Sequence, residues 1–510
     1  MLKLFNSQQV KKIDACTVEK QNIQSVDLME RASLALFESL CHLVDKDSHI
    51  VIFAGSGNNG GDALALARML LTRHLDVDVY LINPGKMLSA DCALNKERLE
   101  RLVYVHTIRD REDVPIIKRG SVVIDGMFGS GLNRPLSGVY LDLVTAINNS
   151  GNIVYSIDLP SGLFVEDNSE NNPDAIVQAD IVFSFQFPKL SLLLPENGRY
   201  CSYLKILDIG LDRECIDAES SLFHYIESGD MLDLLKPRRT FDHKGTFGHA
   251  LIFAGSFGKI GAAVLAARAC LRSGVGLLTV HTARCGVEIL QTAVPEAMVI
   301  ADEYTDRIGR VGDISEKMMV GVGPGIGVDA DTGSFMNTLL QISSKPMVID
   351  ADALNLIAKD DLLKQSIPKG SILTPHPVEL DRLTGQSCST GYERLQCARA
   401  FARKYSVYVV LKGAYTAVIT PQEQVFFNPT GNPGMATGGS GDVLTGVITS
   451  LLAQKYEPLQ AALLGVYLHG LAGDFAAKSK SVYSLLPSDI IDYLGKAYRS
   501  LEKQGRNRKL

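Results

Sequence analysis

Short continuous runs of apolar, often β-branched residues recur along the whole chain, separated by Gly/Asp/Asn loops and helical stretches, and they constrain its fold more than any other feature. In the first half they cover residues 49–54, 77–82, 122–124, 153–157, 181–185 and 204–206, behind two segments that read as helices. A strand wet on one face alternates polar and apolar residues, whereas a continuous apolar run is buried on both. The runs therefore predict a parallel or mostly parallel sheet with helices on either side.

The pattern pauses over residues 212–228, which carry acids and serines without periodicity, and then over the basic, proline-containing stretch 235–239. It restarts at 249–254 and continues through 277–281, 318–322, 347–349, 371–373 and 407–411 to a long helix opening near Asp442. A chain of 510 residues is too long for one core. Two α/β domains are expected, a Rossmann-like three-layer domain over 1–215 and a larger one over 226–505. Both contain Phe-Ala-Gly-Ser, at 53–56 and 253–256, but the rest does not align, so no internal duplication is inferred.

Composition narrows the class. Hydrophobic residues at 46% and charged residues at 21% are those of a globular chain, and the net charge of −6 offers no broad attraction to nucleic acid or anionic lipid. Small-molecule partners are expected instead, with homo-oligomerisation a guess by analogy with other α/β domains. The nine cysteines show no CxxC pair and no zinc spacing, and they read as reduced, mostly buried thiols. The opening MLKLFNSQQVKKIDACTVEK lacks the features of a signal peptide, and no apolar run reaches spanning length. A cytoplasmic location is the expectation.

Chemistry concentrates at strand ends. Gly55-Ser56-Gly57-Asn58-Asn59-Gly60 fits G-x-G-x-x-G between a predicted strand and helix, where free N–H groups and the helix dipole hold a phosphate. The next strand ends at Asn83-Pro84 rather than at the acid that holds a ribose in dinucleotide folds, so a cofactor-type NAD mode is doubtful. Asp125 precedes Gly129-Ser130-Gly131-Leu132-Asn133-Arg134-Pro135, and Asp158 opens Asp158-Leu159-Pro160-Ser161-Gly162. Asp62, Asp125 and Asp158 thus converge at strand carboxyl ends, for acid–base work or for a hard cation, although each alone could simply cap a turn.

In the second half, Asn432 to Asp442 (NPGMATGGSGD) runs into a helix. Small residues there let the backbone N–H groups of Gly439, Ser440 and Gly441 form an anion hole beside Asp442 as base, an arrangement for phosphoryl transfer. Lys412-Gly413-Ala414-Tyr415-Thr416 suits nucleotide phosphates, and Gly323-Pro324-Gly325, Asp350-Ala351-Asp352 and His376-Pro377 end further strands. A solvated Lys412 or a turn-bound His376 is the plainer reading of each taken singly.

These residues resemble known families. Gly55 to Asp62, Gly129 to Pro135 and Asp158 to Gly162 are similar to the NAD(P)H-hydrate epimerases. DHKGTFGH at 242–249, His376-Pro377, Lys412 to Thr416 and Gly434 to Gly446 resemble the ADP-dependent NAD(P)H-hydrate dehydratases of the ribokinase-like superfamily, and the fused pair looks like the bifunctional NAD(P)H-hydrate repair family. Ala63 and Leu380-Asp381 depart from the commonest family forms. The resemblance implies that the first domain interconverts R and S hydrates of NADH or NADPH and that the ribokinase-like second domain dehydrates the S form using ADP, giving AMP and phosphate. It implies that Asn58, Asn59, Gly60, Gly61, Asp62 and Gly129 through Pro135 hold the hydrate, with Asp158 as binder and acid–base. By the same resemblance Asn59, Asp125 and Ser161 ligate K⁺; Ala263, Gly325, His376 and Asp442 contact the second-domain hydrate; Lys412, Gly413, Ala414, Tyr415, Thr416 and Gly441 hold the nucleotide, with Mg²⁺ in attendance. A ribokinase-like small-molecule kinase with a fused accessory domain is the rival reading, and a catalytically silent first domain a second.

Overall fold

The computed structural model describes residues 1–507 except Pro84 and Lys86, with side chains described as far as residue 503. The strand end expected at Asn83-Pro84 therefore lies partly outside the described residues. The chain divides into two compact units, Lys3–Ser221 and Leu222–Leu510, the latter taking in Met1–Leu2. The boundary stretch 212–228, without periodicity in sequence, holds a helix, Arg213–Ala218, and a strand, Phe223–Tyr225. Both are too short to show a period.

In the N-terminal unit seven strands form one sheet: β1 (His49–Ala54), β2 (Asp76–Ile82), β3 (Val105–Ile108), β4 (Val122–Gly126), β5 (Ile153–Ile157), β6 (Ala179–Phe185) and β7 (Cys201–Leu207). Their order is β3-β2-β1-β4-β5-β6-β7, with every neighbouring pair parallel. Ile50, Ile52 and Ala54 of β1 join one core with Leu36, Leu64 and Leu66 from helices Ser25–Leu40 and Asn58–Leu71. Val51 and Phe53 join another with Leu143, Val144 and Ile147 of helix Val139–Asn149. Burial on both faces is what the continuous runs implied. Strand order reverses between β1 and β4, and residues from the loops leaving these two strands line one cavity.

In the C-terminal unit the strands are β8 (Phe223–Tyr225), β9 (His249–Phe253), β10 (Leu277–Thr282), β11 (Met298–Ala301), β12 (Met318–Val322), β13 (Val348–Ile349), β14 (Ile372–Leu373), β15 (Tyr408–Leu411), β16 (Ala417–Ile419) and β17 (Val425–Phe427), ordered β8-β17-β16-β15-β14-β13-β12-β9-β10-β11. From β11 to β15 all pairings are parallel, and β15, β16 and β17 continue as antiparallel neighbours. Helix Ser440–Ala453 is buried almost all round and lies against helix Ile260–Arg272, so close that a Cβ on Gly446 would stand 2.1 Å from the Ala266 carbonyl oxygen.

The thiol expectation needs one correction. Cys16, on helix Ser7–Gln21, is bonded to Cys215 on helix Arg213–Ala218, 199 residues away. Folding brings these helices together, which spacing along the chain does not reveal. The other seven cysteines are free. Among the described residues no helix is long and apolar enough to cross a membrane.

Candidate active sites

In the N-terminal unit the loop after β1 closes so tightly that a Cβ on Gly55 would meet Met127 O at 1.9 Å, and one on Gly60 would meet Gly55 O at 1.8 Å. Only glycine fits at either position. Helix Asn58–Leu71 then starts at Gly57 without a side-chain cap, leaving first-turn N–H groups for a ligand. They border a cavity of about 820 Å³ whose lining includes Asn58, Asn59, Asp62, Gly129, Ser130, Gly131, Leu132 and Asp158. Gly60 and Gly61 are buried packing positions, the latter against Met29, and they do not line the cavity. Asn133, Arg134 and Pro135 are exposed and lie outside the lining.

Asp158 leaves β5 with φ at 65°, a left-handed conformation that costs about 1–3 kcal/mol in a non-glycine residue and concentrates at functional sites. Its N–H donates to Phe183 O (2.7 Å), and its carboxylate accepts from Phe185 N (3.2 Å) and from the Lys189 ammonium. Lys189, only 3% exposed, also donates to Ser184 Oγ (3.0 Å) and to the Phe185 and Phe187 carbonyls. The sequence reasoning missed this cation: it sits 31 residues beyond its partner and in no motif. It also missed Asp14, which lines the cavity from helix Ser7–Gln21; burial, then the charge of Asp158, push its carboxyl up to about 6 against the pull of Lys189. Asp62 is raised as well, by burial first and then by Asp158, Asp14 and Asp91.

Asp125 is wholly buried, and burial raises its pKa. Met127 N (3.3 Å) and Ser161 Oγ (2.5 Å) donate to one oxygen, Ser156 Oγ and Ser161 N (both 2.8 Å) to the other. Four neutral donors and no cation surround it among the described residues. An uncompensated carboxylate of this kind, with Ser161 Oγ and the Phe128 carbonyl beside it (3.3 Å), offers the hard oxygen donors that K⁺ takes. Asn59 is held nearby by its Nδ2 donating to Ile157 O (3.2 Å), and its Oδ1 and an oxygen of Asp158 both face Gly129, 3.0 and 3.3 Å from where a Cβ would stand.

In the C-terminal unit, helix Ser440–Ala453 begins at Gly439 (φ 101°) with no side-chain cap. The Ser440 N–H is spent on Thr437 O (3.3 Å), leaving the amides of Gly439 and Gly441 as the open part of the expected anion hole. Asp442 lies in the first turn of this helix, and Thr445 follows three residues later on the same side. Thr445 Oγ donates to Asp350 (2.7 Å), whose other oxygen accepts from Lys412 Nζ (3.0 Å). Lys412 is also 3.8 Å from Glu379. Burial presses the Lys412 pKa down, but Asp350, Glu379 and Asp442 together leave it above the ordinary lysine value. Burial, then Asp350, push Asp442 up to about 7 while Lys412 pulls it down. Ala351, directly after Asp350, has φ at 50°, a second strained strand end.

The remaining expected residues divide. Thr416 Oγ bonds Gly413 O (3.0 Å) and closes the turn after β15, leaving Gly413 and Ala414 exposed. Gly325 (φ 63°) receives Ser256 Oγ on its carbonyl (2.7 Å). His376 caps helix Pro377–Thr384, its Nδ1 accepting from Val378 and Glu379 N–H (3.2 and 3.4 Å), so its Nδ1 is occupied locally while the ring is nearly half exposed. Ala263 is fully buried against Gly255, and its side chain belongs to the core. His469 was missed: it is buried, burial lowers it to about 4, and its Nε2 and Ser440 Oγ both lack hydrogen-bond partners among the described residues.

Comparisons with known proteins agree with this division. A family profile described as NAD(P)H-hydrate dehydratase matches residues 250–496, and one described as YjeF-related protein N-terminus matches 25–191. Proteins named bifunctional NAD(P)H-hydrate repair enzyme Nnr are similar from end to end: that of Moorella thermoacetica is 34% identical, covering 98% of this chain and 97% of its own, and that of Coxiella burnetii is 34% identical, covering 97% and 99%. That of Escherichia coli is 32% identical over 92% of this chain and 88% of its own. Among solved structures, the ADP/ATP-dependent NAD(P)H-hydrate dehydratase of Bacillus subtilis, co-crystallised with ATP and Mg²⁺, is 29% identical, covering 55% of this chain and 98% of its own at a TM-score of 0.48. On near-full-length identity above 30%, with a match to each unit, the chain belongs to the bifunctional NAD(P)H-hydrate repair enzyme family.

Proposed function

We propose that the N-terminal unit interconverts the R and S C6 hydrates of NADH and NADPH, and that the C-terminal unit dehydrates the S form at the expense of ADP, releasing AMP and phosphate. The observation that carries the second half is Asp442, a carboxyl near pKa 7 in the first turn of an uncapped helix, beside the Lys412–Asp350 pair. A base at that value is about half ionised at neutral pH and accepts a proton readily.

Asp442 takes the proton of the C6 hydroxyl. The freed oxygen attacks the terminal phosphorus of ADP, and the bond to the AMP oxygen breaks. Lys412 holds the nucleotide phosphates, and the Gly439 and Gly441 amides meet the developing negative charge. The C6–O bond then breaks with the electron pair leaving on phosphate while the N1 lone pair forms the C=N bond, and loss of a C5 proton restores the dihydronicotinamide. Ala263 and Gly325 would shape the hydrate pocket through backbone, Gly413 to Thr416 would follow the nucleotide, and His376 would face the hydrate through its exposed ring edge. Mg²⁺ would ride largely on nucleotide phosphates and water, since no cluster of three His, Cys, Asp or Glu suited to a metal occurs among the described residues.

In the N-terminal unit, Asn58, Asn59, Asp62 and the Gly129 to Leu132 loop would hold the hydrate, and Asp158, fixed by Lys189, would exchange protons with it. K⁺ held by Asn59, Asp125 and Ser161 would supply the positive charge that buried Asp125 lacks. The decisive assay mixes protein, racemic NADHX, ADP, Mg²⁺ and K⁺ and follows NADH absorbance. Full recovery is expected from wild type, S-only recovery from Asp158→Asn, and none from Asp442→Asn; no recovery with any nucleotide sinks the reading.

A further inference from the structure

We infer that epimerisation in the N-terminal cavity uses two proton-transfer groups, Asp14 and Asp158, each serving one face of the reacting carbon. This deepens the proposed epimerase reading and rests on it. Inverting a carbinol carbon bonded to a ring nitrogen calls for a planar intermediate approached from both sides. One side needs an acid to release the hydroxyl, and the other needs a base to activate the incoming water.

The cavity supplies both from separate elements. Asp158 comes from the loop after β5 and is held in place by its ion pair with the buried Lys189 ammonium. Asp14 comes from helix Ser7–Gln21 on the lining of the same cavity, half-buried, and among the described residues no ammonium or guanidinium is bonded to it. The charged groups facing it are Asp158, Lys189 and, through Asp62, the first turn of helix Asn58–Leu71; Lys11 and Glu19 line the cavity from its own helix, and Asp91 from helix Ala90–Glu100. Its carboxyl, pushed to about 6, is available in both protonation states near neutrality.

The step balances. Protonated Asp14 gives its proton to the C6 hydroxyl; the C6–O bond breaks, water departs, and the N1 lone pair forms the C6=N1 iminium. Water then adds to the opposite face, its electron pair forming the new C–O bond as the iminium pair returns to N1, and its proton passes to Asp158. The opposite epimer results, and the proton has moved from Asp14 to Asp158. Proton exchange with solvent water, off Asp158 and onto Asp14, restores the starting state before the next turnover.

The test uses full-length protein with R-enriched NADPHX, monitored at limiting epimerisation, with S-hydrate dehydration as an internal control. Asp14→Asn should lower epimerisation kcat at least 100-fold while S-form dehydration is unchanged, and Asp14→Glu should restore part of it. The wild-type epimerisation pH profile should carry a limb near 6 that Asp14→Asn lacks and Asp14→Glu keeps. Wild type that epimerises while Asp14→Asn stays within a few-fold, limb intact, overturns the proposal alone. Wild type that never converts the R form removes the epimerase reading and this proposal with it.

Discussion

Asp442 carries a cost that its role explains. A carboxyl pushed from its ordinary value to about 7 by burial and by Asp350 is held more easily protonated than charged. Its folded-state value lies above its unfolded one, so it favours folding fully below about pH 4, and that contribution is lost as pH rises to about 7. At pH 8 the ionised group works against the fold. Asp442→Asn should therefore abolish dehydration while stabilising the C-terminal unit at pH 8 by roughly 1–3 kcal/mol, an exchange common at active sites. For wild type, dehydratase kcat should rise with pH through a limb near 7. Lys412→Met, which removes the charge that lowers Asp442, should move the limb to higher pH. A pH-independent rate between 5 and 9 contradicts the assignment of Asp442 as base.

Helix packing sets what the site can tolerate. Gly446 lets helix Ser440–Ala453 approach helix Ile260–Arg272 to backbone contact, and this pins the first turn that holds Asp442. Gly446→Ala would drive a methyl into Ala266 O, and overpacking of this kind costs about 1–3 kcal/mol or more. Gly333, inside helix Ala330–Ile342, has only Leu356 Cδ2 at 3.9 Å. Gly333→Ala should stabilise by about 0.5–1 kcal/mol, the helix-interior difference between the two residues. Opposite shifts in melting temperature are expected, with dehydratase activity falling only in Gly446→Ala.

The same scale decides how much was legible beforehand. Central strands such as β1 and β12 announced themselves because burial on both faces leaves a continuous apolar run. The edge strands β3 and β11 did not: β3 exposes His106, and β11 is exposed at Met298, Ile300 and Ala301, so neither has a full apolar signature. The β16–β17 hairpin is three residues a side. The members of the glycine-rich strings that line the N-terminal cavity, Asn58, Asn59 and Gly129 to Leu132, could be picked out because loop and helix start are contiguous in sequence. Asp14, Lys189 and His469 reach their sites from other helices and loops, and the Cys16–Cys215 bond joins elements at opposite ends of one unit's chain. Only folding makes those neighbours.

At the scale of the whole molecule, two units with separate cores should melt separately, because cooperativity extends only as far as shared packing. Ligand and redox state then act on different transitions. On the proposed function ADP binds the unit carrying Lys412 and Gly441, and at a hundred times its Kd it should stabilise that unit by about 2.7 kcal/mol, moving its transition up by several degrees. The Cys16–Cys215 bond lies wholly in the other unit and closes a loop of 199 residues. Cross-links of such length restrict the unfolded chain by roughly 5 kcal/mol in the entropic account, so reductant or Cys16→Ser should lower the N-terminal transition. Calorimetry of full-length protein, with ADP and reductant varied independently, distinguishes the cases: two endotherms, each moved by one agent, are expected. A single endotherm shifted by both agents means that the units unfold as one body, and the stability of each active site is then no longer its own.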